Sequence, residues 1–327
     1  MTFHLHLETR RTRPEHLKLT EALWDAAAKR HPELAQQLRV TIGWDDEILD
    51  EALKTADFMI NQFPPKERLA ERAPRLKWIQ TTGAGIDALV PLSWLPPHTT
   101  LTNNRGAHGA KAEDSCTLAI LALHMRFAET LQNQRDRLWK MILTPPVAGK
   151  TAVVVGFGDL GQGAGRAAHK LGLRVIAVTR GGKAEAPAEK AYAVTQIDEA
   201  LPLADFLILT APATAETCGL IDRRRLALLK RDAAVVNIGR AALMDYAALR
   251  EKLERGELAG AVLDVFDEEP LPPSSPWWTT RNVIVTPHIS CDSPRYMDAL
   301  LDRWFENFGR LRSGKPLHNA IDPARGY

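Results

Sequence analysis

Arg240, Asp264, Glu269 and His288 carry the side chains best suited to chemistry in this chain, and each stands in or just after a short apolar run. Arg240 follows the run Ala233 to Ile238. Asp264 falls inside the run 261–266, and Glu269 follows Phe266 closely. His288 comes after Val283-Ile284-Val285 and Thr286-Pro287. If these runs are strands of an open α/β sheet, their carboxyl ends face one cleft, and such sheets bind ligands there. An arginine can hold a carboxylate with its two-pronged guanidinium. A histidine can supply the proton that a carbonyl oxygen gains on reduction, and Glu269 can hold the imidazole and favour its charged form. The set suits reduction of a 2-oxo acid. Taken singly, each residue has a plainer reading. Arg240 could cap a loop, His288 could be a satisfied half-buried histidine, and Glu269 a solvated carboxylate. Asp264 sits in a run that reads as strand, where Asp is disfavoured. The residues gain meaning jointly.

They also lie downstream of a nucleotide-binding signature. Ala152-Val153-Val154-Val155 runs into Gly156-Phe157-Gly158-Asp159-Leu160-Gly161. A helix-like stretch (166–171) and a second apolar run (174–178) follow. This is the layout of a dinucleotide-binding βαβ unit. Gly156 allows the tight turn, Gly158 lets the backbone approach a pyrophosphate, and Gly161 lets helix and strand pack closely. The N–H groups at the helix start then face the phosphates.

In such units an Asp or Glu roughly 20 residues past the glycines bonds the ribose 2′-OH. Here the second run ends in Thr179-Arg180-Gly181-Gly182-Lys183, with no acid. A carboxylate would repel a 2′-phosphate, whereas Thr179, Arg180 and Lys183 would accept one. The expectation is NADP(H) in preference to NAD(H). The plainer reading is an exposed basic turn.

The rest of the chain must position these residues. Its 327 residues suit two domains, and 45% hydrophobic with 25% charged residues is an ordinary globular composition. A net charge of +2 gives no reason to expect nucleic acid or an anionic membrane as partner. No apolar run approaches the roughly 18 residues that span a bilayer, and the N-terminus lacks a signal-peptide pattern. Cys116, Cys218 and Cys291 are widely spaced and read as free thiols in a reducing cytoplasm, with no metal site. From 151 onward, strand-like runs recur at 152–155, 174–178, 206–210, 233–238, 261–266 and 283–285. Helix-like segments separate most of them, which argues for a doubly wound, mostly parallel sheet. Residues 1–105 read as a smaller α/β unit, with apolar runs at 38–42, 57–60 and 77–80 and helix-like stretches near 16–30 and 66–72. Residues 112–128 read as a helix that is apolar nearly all round, hence buried in a core or against another subunit. Arg223-Arg224-Arg225 reads as a solvated helix start and Trp277-Trp278 as a packed loop. His108 has no visible partner.

The motifs together resemble the D-isomer-specific 2-hydroxyacid dehydrogenase family over most of the chain. Gly83-Ala84-Gly85-Ile86-Asp87 resembles its substrate-carboxylate loop, and Ala112-Glu113 opens what resembles the long helix of its dimer interface. Val155 to Gly161 resembles its glycine loop. Asp205, the stretch Ala211 to Thr217, Asn237-Ile238-Gly239-Arg240, the stretch Gly260 to Leu271 and Thr286-Pro287-His288 complete the set. The chain departs from the pattern at Ala241, where the family usually has Gly, and at Cys291-Asp292, where small residues are commoner. Both bear on the walls of the active site.

The resemblance implies Arg240, Glu269 and His288 as a catalytic trio. It implies substrate contacts from the backbone of Ala84 and Gly85, with Arg240 and His288. It implies cofactor contacts from Gly156 to Gly161, Thr179, Arg180, Ala211, Pro212, Thr217, Ile238 and Asp264. It further implies a split plan: a Rossmann-type domain at 106–289, and a smaller flavodoxin-like substrate domain from 1–105 and 290–327, with a cleft between. A homodimer is implied, with Trp139 reaching toward the partner's active site. Thr179-Arg180 and the ending Asp322 to Tyr327 resemble the glyoxylate/hydroxypyruvate reductase branch. The expected function is an NADPH-dependent reductase of small 2-oxo acids, giving D-2-hydroxy acids or glycolate. A reductase of bulkier acids such as phenylpyruvate is the alternative among enzymes. A non-catalytic dinucleotide sensor is the alternative from another class. A formate-dehydrogenase-like role is disfavoured, because that chemistry adds no proton to a carbonyl and lacks the partner Glu269 provides.

Overall fold

The computed structural model describes residues 2–323; Ala324 to Tyr327, the end of the C-terminal motif, and the side chain of Asp87 lie outside the described residues. The chain forms two compact units, one from Met1–Ala107 with Ser293–Tyr327 and one from His108–Asp292.

The first unit is built on five parallel strands: β1 (Phe3–Thr9), β2 (Leu38–Trp44), β3 (Phe58–Ile60), β4 (Trp78–Gln80) and β5 (Thr100–Thr102). Their order, β2-β1-β3-β4-β5, is the flavodoxin-like doubly wound order. One face of β1 offers Leu5 and Leu7 to a core shared with the helix Tyr296–Arg312. That helix buries Met297, Leu300, Leu301, Trp304, Phe305 and Phe308, spaced to share one face. Trp304 stacks on Trp78 of β4 at 5.0 Å and 3°.

The opposite face of β1 is polar yet buried. His4, His6 and Glu8 alternate there and are joined into one chain. Nδ1 of His4 meets the Thr55 hydroxyl and its Nε2 the Thr41 hydroxyl, both at 2.9 Å. The Thr41 hydroxyl also meets Nδ1 of His6 at 2.9 Å, and Nε2 of His6 meets Glu8 at 2.9 Å. Arg39 donates to the Thr55 oxygen and the Asp46 N–H donates to Glu8. With each ring carrying a proton on Nε2, donation can run one way from Thr55 to Glu8. No group in the row is then left unpaired, as burial requires. Burial, with Arg39 and His6 nearby, lowers the pKa of His4 to about 4, so the neutral form is the stable one.

The second unit carries seven parallel strands: β6 (Thr151–Val155), β7 (Arg174–Thr179), β8 (Lys190–Ala193), β9 (Phe206–Leu209), β10 (Ala234–Asn237), β11 (Gly260–Leu263) and β12 (Val283–Val285). Their order, β12-β11-β10-β9-β6-β7-β8, places β6 and β9 side by side where the winding reverses. From β6 to β12 this is the Rossmann order with one strand added. Val153 and Val155 pack into one core and Ala152 and Val154 into another, so both faces of the sheet are covered.

The helix expected at 112–128 spans Gly109–His124 and stops at Met125. Arg126 takes a left-handed turn (φ 52°), and a new helix begins at Phe127. It is not buried all round. Ala112, Cys116, Ala119, Ile120 and Leu123 face the core, while Leu118 is 70% exposed. One side meets the core as expected: Gly109 and Ala112 lie against the helix Asp159–Lys170, where a Cβ on Gly163 would stand 2.4 Å from the Gly109 oxygen. His108, expected to lack a partner, has its Nδ1 2.9 Å from the Cys291 carbonyl oxygen. Among the described residues no helix is long and apolar enough to cross a membrane.

Candidate active site

The glycine loop lies where β6 meets β9. Gly156 takes φ +85°, and a Cβ there would fall 2.7 Å from the backbone of Ala211. Gly161 admits none either, since a Cβ would stand 2.0 Å from the Gly156 oxygen. Thr210, at the end of β9, clasps the turn by donating to the Gly156 oxygen at 2.5 Å. Above Gly158, by contrast, a Cβ would meet nothing within 4 Å. Close packing behind the loop and open space in front of it, at the start of the helix Asp159–Lys170, fit a bound pyrophosphate.

The other expected cofactor residues sit around this loop. Phe157, Asp159 and Leu160 belong to it, and Asp159 accepts from the His108 N–H at 3.1 Å. Ala211 and Ile238 are buried beyond β9 and β10. Pro212 is tied to Thr217, whose hydroxyl donates to the Pro212 oxygen at 2.6 Å. Thr179 ends β7, and its hydroxyl accepts from the Lys183 N–H (3.1 Å) and donates to the Lys183 oxygen (3.0 Å). Thr179 therefore closes the turn that presents Arg180, rather than leaving its hydroxyl open for a ligand.

Asp264 departs from the sequence reading. It lies just past the end of β11, so the strand that made an Asp unexpected is not there. Its carboxylate is buried and accepts from the Thr286 hydroxyl (2.6 Å) and the N–H groups of Ile289 and Ser290 (both 3.0 Å). Asp264 thus builds the loop that bears His288.

Glu269 and His288 come together. Oε2 of Glu269 lies 2.7 Å from Nδ1 of His288, and Oε1 accepts from the Phe266 N–H at 2.9 Å. The carboxylate is held from both sides, and among the described residues Nε2 of the ring makes no hydrogen bond. Arg240 follows β10 in the same unit and donates to the Gly239 oxygen at 2.8 Å. Its turn is shaped by Asn237, named above only as part of a motif, and by Tyr246, which sequence reasoning missed. Asn237 donates to the Arg240 oxygen (3.0 Å) and to the Tyr246 hydroxyl (3.1 Å), which in turn donates to the Val265 oxygen (2.8 Å). Burial pushes the Tyr246 phenol upward, so it stays a donor. Beyond that motif, the signal in the sequence is a polar Asn at the end of an apolar strand.

Ala84 and Gly85 belong to the first unit, in the turn after β4. Asn103 donates to the Ala84 oxygen at 2.6 Å, and the Gly83 N–H donates to Gln62 at 2.7 Å.

A Rossmann sheet with a glycine turn at its switch point, and a histidine–carboxylate pair at its strand ends, defines a dinucleotide-dependent oxidoreductase. The model of the D-isomer specific 2-hydroxyacid dehydrogenase NAD binding domain matches residues 117–290. A glyoxylate reductase of Thermococcus gammatolerans is 32% identical over 254 residues, 74% of this chain and 76% of the relative. Among solved structures, a D-isomer specific 2-hydroxyacid dehydrogenase from Xanthobacter autotrophicus Py2 in complex with NADPH and MES superposes with TM-score 0.86 at 28% identity, covering 100% of both chains. An NADPH-dependent glyoxylate/hydroxypyruvate reductase from Sinorhizobium meliloti in complex with NADP and sulfate gives TM-score 0.81 at 27% identity, covering 99% of each chain. The chain belongs to the D-isomer specific 2-hydroxyacid dehydrogenase family and is an NAD(P)-dependent oxidoreductase.

Proposed function

We propose that the protein is an NADPH-dependent reductase of small 2-oxo acids of the glyoxylate/hydroxypyruvate type, giving D-2-hydroxy acids. The observation that carries this reading is the 2.7 Å pair of His288 and Glu269, in the same unit as the dinucleotide loop. The kinship with glyoxylate reductases supports it. The second unit acts as the cofactor domain and the first as the substrate domain.

Arg240 takes the substrate carboxylate through two parallel N–H bonds. When bound, the nicotinamide supplies a hydride to the carbonyl carbon. His288, as imidazolium, gives its Nε2 proton to the carbonyl oxygen as charge develops there. Glu269 stabilises the imidazolium through Nδ1–H and fixes the ring plane. The sum is 2-oxo acid, NADPH and a proton to 2-hydroxy acid and NADP. Arg180 meets the 2′-phosphate from a turn that Thr179 closes and that carries no acid to repel it.

The active form is a homodimer. Leu118, Met125, Phe127, Leu131, Leu138 and Trp139 form a run of exposed apolar side chains in the second unit. Such runs are uncommon on monomers and mark association surfaces.

A panel of 2-oxo acids assayed with NADPH and with NADH tests the reading. Steady turnover with NADPH supports it. NADPH binding without turnover of any 2-oxo acid would point to a dinucleotide sensor.

A further inference from the structure

The turn after β4 is gripped from distant parts of the first unit. Oε1 of Gln62, just past β3, accepts from the Gly83 N–H (2.7 Å) and the Thr82 hydroxyl (2.6 Å). Arg13 donates to the same hydroxyl at 3.1 Å. The carbonyls of the turn are all engaged. Tyr296 donates to the Thr82 oxygen (2.6 Å), the Asn104 N–H and the Thr81 hydroxyl to the Gly83 oxygen (both 3.0 Å), and Asn103 to the Ala84 oxygen (2.6 Å). Its donors are not. Among the described residues the N–H groups of Ala84 and Gly85 meet no acceptor. Neither does Nε2 of Gln62. Two donors converging on Oε1 settle which branch of that amide is oxygen, so the half-buried side chain turns its two N–H groups the other way. Nε2 borders the turn, 3.1 Å from where a Cβ on Gly83 would lie. The groups left over at the turn are donors alone, and donors alone are the complement of an anion.

We propose that Gln62 is a further substrate-binding residue: its Nε2 donates to the carboxylate of the small acid held at this turn, while its Oε1 holds the turn in shape to receive it. The inference rests on the reductase reading. It adds a side chain beyond the catalytic trio and beyond the backbone contacts that the family resemblance implies. The two ends of one amide thereby do two jobs, and the second is ready before the acid arrives. An amide already fixed by two bonds gives up little freedom when it meets a ligand, so more of the hydrogen bond appears as affinity.

Gln62→Glu separates the two jobs. A carboxylate still accepts from Thr82 and Gly83, but it sets a negative charge where Nε2 stood. Gln62→Leu removes both. The test is KM and kcat for glyoxylate with NADPH, Tm, and the calorimetric Kd of oxalate on the NADPH-loaded protein, a small dianion whose binding needs no turnover. Gln62→Glu should keep the parent's Tm and KM for NADPH, and raise KM for glyoxylate and Kd for oxalate by about 10- to 100-fold. Gln62→Leu should raise both and lower Tm as well, since Thr82 and Gly83 lose their acceptor. Parent values of KM and Kd in Gln62→Glu would reduce Gln62 to a support of the turn and leave the reductase standing. Weaker oxalate in Gln62→Glu with no 2-oxo acid turned over by the parent would keep the anion contact and remove the reductase. A parent that neither turns over glyoxylate nor binds oxalate removes both.

Discussion

Asp264 fixes the loop that bears His288 with both its backbone and its side chain: the His288 N–H donates to the Asp264 carbonyl at 3.0 Å, while the carboxylate accepts from the Thr286 hydroxyl before it and the Ile289 and Ser290 N–H groups after it. His288 sits between these anchors at φ +55°, a conformation unusual for a residue with a Cβ. The loop holds the ring in that conformation. Asp264→Asn should therefore cost more than a surface change. An amide puts a donor where three donors already converge, which costs about 1–3 kcal/mol when buried. The expected result is a lower Tm together with a lower kcat. A variant with parent kcat would show that the loop does not need this carboxylate.

The proton donor makes a separate prediction. His288→Ala should lower kcat by about 10²–10⁴-fold while leaving NADPH affinity near the parent's, since the group acts mainly in the transition state. Glu269→Gln keeps the shape of the pair but removes the charge that favours the imidazolium. The alkaline limb of the reduction profile should then move to lower pH. Superimposable pH profiles for parent and Glu269→Gln would take the pairing out of the mechanism.

How much of this was legible beforehand depended on whether a residue's role was local. The strand before Gly156 and the glycine spacing declare themselves within a dozen residues, and β6, β7, β9, β10 and β12 lie where their apolar runs fall. β1 was missed. Its alternation of Leu with His4, His6 and Glu8 reads as half exposed, whereas its polar face is buried against Thr41 and Thr55, far along the chain. β8 is short and opens on an exposed lysine. The helix at Gly109 began earlier than read, because glycine argues against a helix start unless a neighbour needs the space. Here Asp159 does, since a Cβ would lie 2.5 Å from its carboxylate. Glu269 and His288 stood out as residue types after strand ends. The bonds that Tyr246 and Asp264 make did not, because their partners are brought in by a different strand, and Asn237 meets the Tyr246 hydroxyl only in the folded chain.

The histidine row in the first unit predicts acid sensitivity. Burial, followed by Arg39 and His6, holds the folded-state pKa of His4 at about 4, below the ordinary value of 6.5. The folded state therefore resists the proton that the unfolded chain accepts. Stability is full above about pH 6.5 and is lost as pH falls from there toward 4, by about 3 kcal/mol at most. Tm measured from pH 8 to 4 should fall across that window, and His4→Gln should flatten the fall. Equal slopes for the two proteins would assign the acid sensitivity to other groups.

Assembly can be tested at one exposed side chain. Leu118 is 70% exposed in the single chain, on a helix whose other face is packed. Leu118→Asp should leave the fold intact and shift sedimentation toward monomer at micromolar concentration, because a buried carboxylate without a partner is costly. A parent that sediments as a monomer would end the dimer proposal.

Cofactor choice turns on the basic turn after β7. Thr179 spends its hydroxyl on the backbone of Lys183, so the direct contact to a 2′-phosphate falls to Arg180. A charge-assisted hydrogen bond of that kind is worth about 1.5–3 kcal/mol, or roughly 10- to 150-fold in affinity. Arg180→Ala should weaken NADPH by that factor and leave NADH nearly as it was, since NADH has no phosphate there. Thr179→Asp should move preference toward NADH by setting a carboxylate against the phosphate. Binding of 2′,5′-ADP and of 5′-AMP, followed calorimetrically, separates the two effects from turnover: only 2′,5′-ADP should weaken in Arg180→Ala. If both nucleotides weaken alike, or neither does, Arg180 is an ordinary exposed turn residue. The missing acid would then carry no information about the cofactor.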